Sequence, residues 1–134
     1  MLFALSFING CEELEGNFSE LTIKEVAEII DMKVGDAEAE SLSSCTTIAI
    51  GAKPCGGPWG YLVYSDEQSD TQNLERLVKR YTELDSIRNI EEERGSTCDM
   101  AREPKIELRD GRCYGTEGHA WNPGDILRFN NITK

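Results

Sequence analysis

Histidine is almost missing from this chain. Among 134 residues there is one, His119, so an imidazole base, a nucleophile-activating pair or a histidine metal set would all rest on that residue. No two of the five cysteines have the close spacing of a metal knuckle, which argues against zinc. Basic residues are scarce as well: 14 Lys and Arg stand against 25 Asp and Glu, a formal net charge of −11, and such a chain is repelled by nucleic acid and by anionic lipid. No apolar run is long enough to span a bilayer as a helix, and there is no internal repeat. The acidic group Asp66, Glu67 and Asp70 lacks the loop pattern of a calcium site and is read as serving the positive end of the helix that follows. No metal and no cofactor is expected.

What is present begins with a short apolar run, residues 1–10, which ends at Cys11 and gives way to an acidic stretch, as a signal-peptide core does at its cleavage site. Ile8-Asn9-Gly10-Cys11 resembles the lipobox of bacterial lipoproteins, with Ile where Leu is commonest, so Cys11 is expected to be acylated and to anchor the mature domain to a membrane face. The run departs from that pattern in having no Lys or Arg before it. The competing reading is a buried N-terminal strand that carries a cysteine.

Acid excess is concentrated between Glu12 and Glu40, where only Lys24 and Lys33 oppose it, and residues 11–21 read as a solvated, self-repelling tether. Residues 22–44 read as a short helix and a linker. Ile23, Val26, Ile29 and Ile30 recur at helical spacing, Thr22 is a candidate N-cap, Gly35 a stop, and 36–44 are small and polar.

Residues 45–114 carry the best patterning. Thr46-Thr47-Ile48-Ala49-Ile50 reads as a buried strand, and Trp59-Gly60-Tyr61-Leu62-Val63-Tyr64 as a second. Between them lies a loop whose two prolines and two glycines exclude regular structure. Residues 71–93 take a helical period, with Leu74, Leu77, Val78, Tyr81, Leu84 and Ile87 on one stripe. Ser69 and Asp70 compete as N-caps, Gln72 is placed to complete a capping box on Ser69, and Gly95 supplies a stop. Lys105-Ile106-Glu107-Leu108-Arg109 alternates as a strand, and Asp110-Gly111 is a hairpin turn signal leading to Arg112-Cys113-Tyr114. In the final segment, 115–134, Asn122-Pro123-Gly124-Asp125 suits a type II turn, so a C-terminal hairpin covering a sheet edge is expected.

Four cysteines allow three pairings. If the strand from Trp59 runs up and the long helix runs back down across the sheet, the segment just past the helix returns to where that strand began. Cys98 then meets Cys55, leaving Cys45 for Cys113. The expected fold is α+β, one long helix packed on a short antiparallel sheet, in a small single domain stapled by two disulfides.

The residues from Cys45 through the Lys53-Pro54-Cys55-Gly56-Gly57-Pro58 loop to Ser65, then Cys98, Pro104 and Gly111-Arg112-Cys113, resemble a family of small, mostly uncharacterised bacterial secreted proteins and lipoproteins. Its pattern is a cysteine, a strand, a Cys-Gly-Gly-Pro loop, a Tyr-Ser strand end, a helix and two late cysteines. The resemblance implies an extracytoplasmic, disulfide-bonded domain and brings no activity with it.

The functional expectation is a non-catalytic binding or interaction module of the bacterial cell envelope, monomeric and inhibitory in one version, with an envelope protein as its partner. Its candidate surface is the loop of Lys53, Pro54, Gly56, Gly57, Pro58 and Trp59, because a braced loop loses little freedom on binding. Against this stands a structural role for the same loop, with the glycines making a turn and Trp59 capping the core. An enzyme would need His119 joined to Asp66 or Ser65 across the fold. A purely structural surface protein is the third class.

Overall fold

Thr22 opens the first helix of the computed structural model, which describes residues 18–133. Glu25 N–H donates to Thr22 Oγ1 at 3.2 Å and Thr22 N–H donates to the Glu25 carboxylate at 3.0 Å, a reciprocal capping box for α1 (Ile23–Val34). Val26, Ala27, Ile30 and Val34 form its buried face. They belong to the same core as the central strands, so the compact domain includes this helix. Ala37 is fully buried, Cys113 N–H donates to its carbonyl at 2.8 Å, and Ala39 N–H donates to Gly111 O at 2.9 Å. The tether expected over 11–21 is likewise shortened, since Arg80 donates to the carbonyls of Phe18 and Ser19 and holds them on the domain. Polarity misled because 37–39 are held by backbone hydrogen bonds, while the apolar side chains of Phe18, Leu21 and α1 pack on the core between the acids. Cys11 lies outside the described residues.

β1 (Cys45–Ile50) and β2 (Gly60–Ser65) pair antiparallel, Cys45 opposite Ser65 and Ile50 opposite Gly60. β3 (Lys105–Arg109) and β4 (Arg112–Thr116) form a second, separate hairpin. Asp110 and Gly111 turn it with φ of 50° and 74°, as a two-residue primed turn requires.

α2 (Thr71–Glu91) is the long helix, and Leu74, Leu77, Val78 and Tyr81 bury its stripe. Asp70 caps it, accepting from the N–H groups of Gln72 and Asn73. Ser69 is spent elsewhere, donating to Lys33 O at 2.6 Å, so the expected box with Gln72 does not form. Nor is Gly95 the stop. Arg94 N–H reaches Asn89 O at 3.0 Å and Glu93 N–H reaches Ile90 O at 3.4 Å, a Schellman ending with Glu93, at φ 49°, in the left-handed position glycine usually takes.

The tail departs most from expectation. β5 (Ala120–Trp121) covers the free edge of β2, but as two residues of parallel strand, and Asn122 to Asp125 then lead into a short helix, α3 (Asp125–Phe129). No hairpin forms. Asn122 N–H donates to Asp125 Oδ2 at 2.8 Å, and the Asn122 side chain pairs with both backbone groups of Gly115, so the turn closes on itself and on β4. Ile126 and Leu127 are then buried from one helical turn.

Both cross-links have the expected partners. Cys45–Cys113 joins the two sheets, with Cα atoms 5.4 Å apart, and Cys55–Cys98 ties the β1–β2 loop to the segment after α2, at 5.3 Å. Closing loops with sequence separations of 68 and 43 is worth about 4 kcal/mol each on the chain-entropy model.

Candidate functional site

One turn beyond Tyr81, the buried stripe of α2 stops being apolar. Asp85 follows at the next helical position and its side chain is wholly buried, with Asn89 buried a further turn on. Its carboxylate accepts five hydrogen bonds. Oδ2 takes Ala52 N–H at 2.9 Å and the Trp59 indole Nε1–H at 3.0 Å; Oδ1 takes Arg88 Nε and Nη2, the latter at 2.8 Å, and Arg94 Nη1 at 3.0 Å. A buried carboxylate persists only when it is paired and its lone pairs are filled, and both conditions are met. Burial opposes the charge on Arg88, yet the hydrogen bond and field of Asp85 prevail and hold its guanidinium above the ordinary arginine value.

Local sequence explains the convergence. Gly51 sits at φ 83°, and a Cβ there would lie 2.6 Å from Trp59 Cδ1 and 3.3 Å from Asp85 Oδ2, so a side chain at this position would displace the pair. The Schellman ending of α2 turns the chain back and delivers Arg94 to Asp85. Asn89 steadies it by accepting from Arg94 Nη1 at 3.1 Å and donating to Ala52 O at 2.6 Å.

Beside this cluster a cleft of about 340 Å³ opens between α2, β5 and α3. Trp59, Ala120, Trp121 and Phe129 make its apolar walls, and Arg88, Arg94 and His119 supply its polar side chains. Trp121 and Phe129 stand with ring centroids 4.7 Å apart, and Tyr81 meets Trp121 edge-on at 6.2 Å from below. Gly60 admits this arrangement, because a Cβ there would come within 2.5 Å of Trp121 Nε1. Beneath, Asn130 links Tyr81 to Arg88 through its side chain. Burial pushes the Tyr81 hydroxyl above its ordinary value, against the pull of its bond with Asn130.

His119 Nδ1 accepts Arg102 N–H at 2.9 Å, so the neutral ring carries its proton on Nε2. It is not joined to Ser65 or Asp66. Tyr61 N–H donates to His119 O at the start of β2, whereas Ser65 is buried at the strand's far end, four residues or about 13 Å along, and Asp66 lies exposed beyond it. Among the described residues no group of three or more His, Cys, Asp or Glu side chains is placed to hold a metal ion. No helix among them is long and apolar enough to cross a membrane.

The Cys55 loop divides in two. Lys53 and Trp59, at its ends, turn inward: Lys53 Nζ donates to Asp99 O at 2.8 Å and to Asp99 Oδ1 at 3.3 Å, and lies 5.7 Å from the Trp59 ring centre. The Thr97 hydroxyl and then Lys53 hold the Asp99 carboxyl below its ordinary range. Pro54, Gly56 and Gly57 form an exposed tip, and Pro58 is half-buried. Cys55 N–H adds a bond to Ser96 Oγ at 3.2 Å. The loop is therefore tied to residues 96–99 by a disulfide, an ion pair and a hydrogen bond, and only its tip is free to be touched.

Sequence reasoning had picked out Trp59 and His119 but not Asp85, Arg88, Arg94, Trp121 or Phe129. The available signal was an acidic residue at the fourth position after Tyr81, on the stripe itself, with Arg88 one turn later. Comparison of the chain with protein-family models, with curated proteins and with solved structures finds no match.

Proposed function

We propose that this chain is a non-catalytic binding module of the bacterial envelope, anchored through Cys11, that seats a small ligand in the cleft between Trp59, Trp121 and Phe129. The observation that carries the reading is the cleft's preformed floor. Asp85 fixes Trp59, Arg88 and Arg94 through bonds made within the protein, so little ordering cost remains to be met on binding. Binding without turnover is the reading because His119, the imidazole of the cleft, is engaged through Nδ1 by Arg102 N–H and is joined to neither Ser65 nor Asp66. Two disulfides suit an oxidising compartment, and the resemblance to small bacterial secreted proteins and lipoproteins points the same way. The Cys55 loop enters as the brace of the cleft, and its exposed tip is where an envelope protein would touch.

The test is a chemically mixed panel of small anionic, neutral and cationic ring compounds, followed by thermal shift and tryptophan fluorescence on the disulfide-intact protein. At least one class should bind saturably and lose affinity in Phe129→Ala, whose side chain is half exposed and contributes a cleft wall. If no compound of the panel binds, the cleft is not a ligand seat and the reading falls. Mass mapping of the protein from its native envelope tests the anchor: an unmodified Cys11 in the mature chain removes the lipoprotein part.

A further inference from the structure

We infer that the cleft selects an organic anion, a carboxylate carried on a flat apolar body, with Arg94 as its charged contact; this rests on the cleft being a ligand seat. The chain carries a formal charge of −11, yet its cleft is lined by two arginines and by no acidic side chain among the described residues. The carboxylate behind them, Asp85, is one charge against the two guanidiniums it binds, so the cluster of Asp85, Arg88 and Arg94 carries one positive charge in excess. Glu92 lines the adjoining groove with both arginines but is not part of the cleft lining itself.

Arg94 is also incompletely used. Both of its hydrogen bonds to side chains leave from Nη1, to Asp85 Oδ1 and Asn89 Oδ1, and its Nε and Nη2 make none among the described residues. Nε–H and the neighbouring Nη2–H form the side-on edge of a guanidinium, the geometry that grips a carboxylate through two parallel bonds. With about a third of its side chain exposed, Arg94 can present that edge to an incoming group. His119, its Nδ1 committed to Arg102 N–H, has Nε2–H as a further donor in the same cleft.

The aromatic walls alone would equally suit a cationic guest, but cations already occupy that role. Arg94 Cζ and Lys53 Nζ each lie 5.7 Å from the Trp59 ring centre, so a further cation would meet two like charges. A flat apolar body against Trp121 and Phe129, with its carboxylate toward Arg94, satisfies both halves of the lining.

Isothermal titration of the disulfide-intact protein with 2-naphthoate, its neutral amide and 2-naphthylmethylammonium separates the alternatives. Naphthoate should bind at least tenfold more tightly than the amide, the ammonium should be weakest, and the preference should shrink as salt is raised. Arg94→Gln should lower naphthoate affinity about tenfold or more and amide affinity by less, so that the preference for the anion is lost. Arg94→Lys, which keeps the charge but not the fork, should recover only part of the loss. Thermal melting of both variants shows whether they are folded. Amide or ammonium binding as tight as naphthoate, or naphthoate binding indifferent to Arg94, overturns the anion assignment and leaves the cleft a ligand seat. Failure of all three probes also overturns the assignment, and the broader panel then decides whether the cleft binds anything.

Discussion

Replacing Asp85 by Asn keeps its shape and removes its charge. In the parent, one carboxylate accepts from Arg88, Arg94, Trp59 and Ala52 at once, with its side chain wholly buried. An amide has a single oxygen, and its NH2 group would face donors on whichever side it was placed. Either the two guanidiniums or the indole and backbone N–H groups would lose their acceptor. Breaking a buried pair by removing one partner costs about 3–5 kcal/mol. Arg88 and Arg94 retain 22% and 32% exposure and recover some hydration, so the lower end applies, about 3 kcal/mol. Urea denaturation with both disulfides intact should show this as a lower midpoint at unchanged slope, and melting should fall by roughly 10 °C or more. In a double-mutant cycle with Arg94→Gln, the two changes should couple by about 1–2 kcal/mol. An Asp85→Asn protein within about 0.5 kcal/mol of the parent, the range of an ordinary surface change, would refute the account of Asp85 as the keystone of the cleft.

Glu93→Gly relieves a left-handed residue at the end of α2 and should raise stability by about 0.5–1 kcal/mol in the same urea assay; a loss would mean that the Glu93 side chain holds the turn. Because the folded Tyr81 hydroxyl titrates above its ordinary 10.0, the unfolded chain releases that proton first. Its contribution is complete below about pH 10 and declines as pH rises through the folded value, so urea midpoints should fall less between about pH 8 and about pH 11 in Tyr81→Phe than in the parent. A Cys55→Ser, Cys98→Ser double variant should lose up to about 4 kcal/mol and release Trp59, seen as a changed tryptophan emission spectrum; unchanged emission would show that Asp85 alone fixes the indole.

Local patterns were enough for the frame. The period of residues 74–81 marked α2, β-branched and aromatic runs marked β1 and β2, and Asp110-Gly111 marked the turn of the second hairpin, because each signal depends on near neighbours in the chain. The disulfide pairing followed from one assumption about helix direction across the sheet, which the fold satisfies. The same logic failed where a residue's role was set by distant groups. Ser69 looks like a cap until Lys33 O claims it, and Ile126 and Leu127 look like a strand until Asn122 closes its turn on Asp125 and Gly115.

By itself, then, the sequence determined an α+β domain with one long helix, two strand pairs and two cross-links. Tertiary structure alone decided the cleft. Asp85, Arg88 and Arg94 carry no motif in the sequence, and Phe129 reads there only as part of an apolar segment of the tail. Burial of a charge is not written in its neighbours along the chain; it depends on donors brought from elsewhere, here Ala52 and Trp59 from the β1–β2 loop and Arg94 from the turn beyond α2. Only their meeting turns one carboxylate and two guanidiniums into a fixed floor with positive charge to spare.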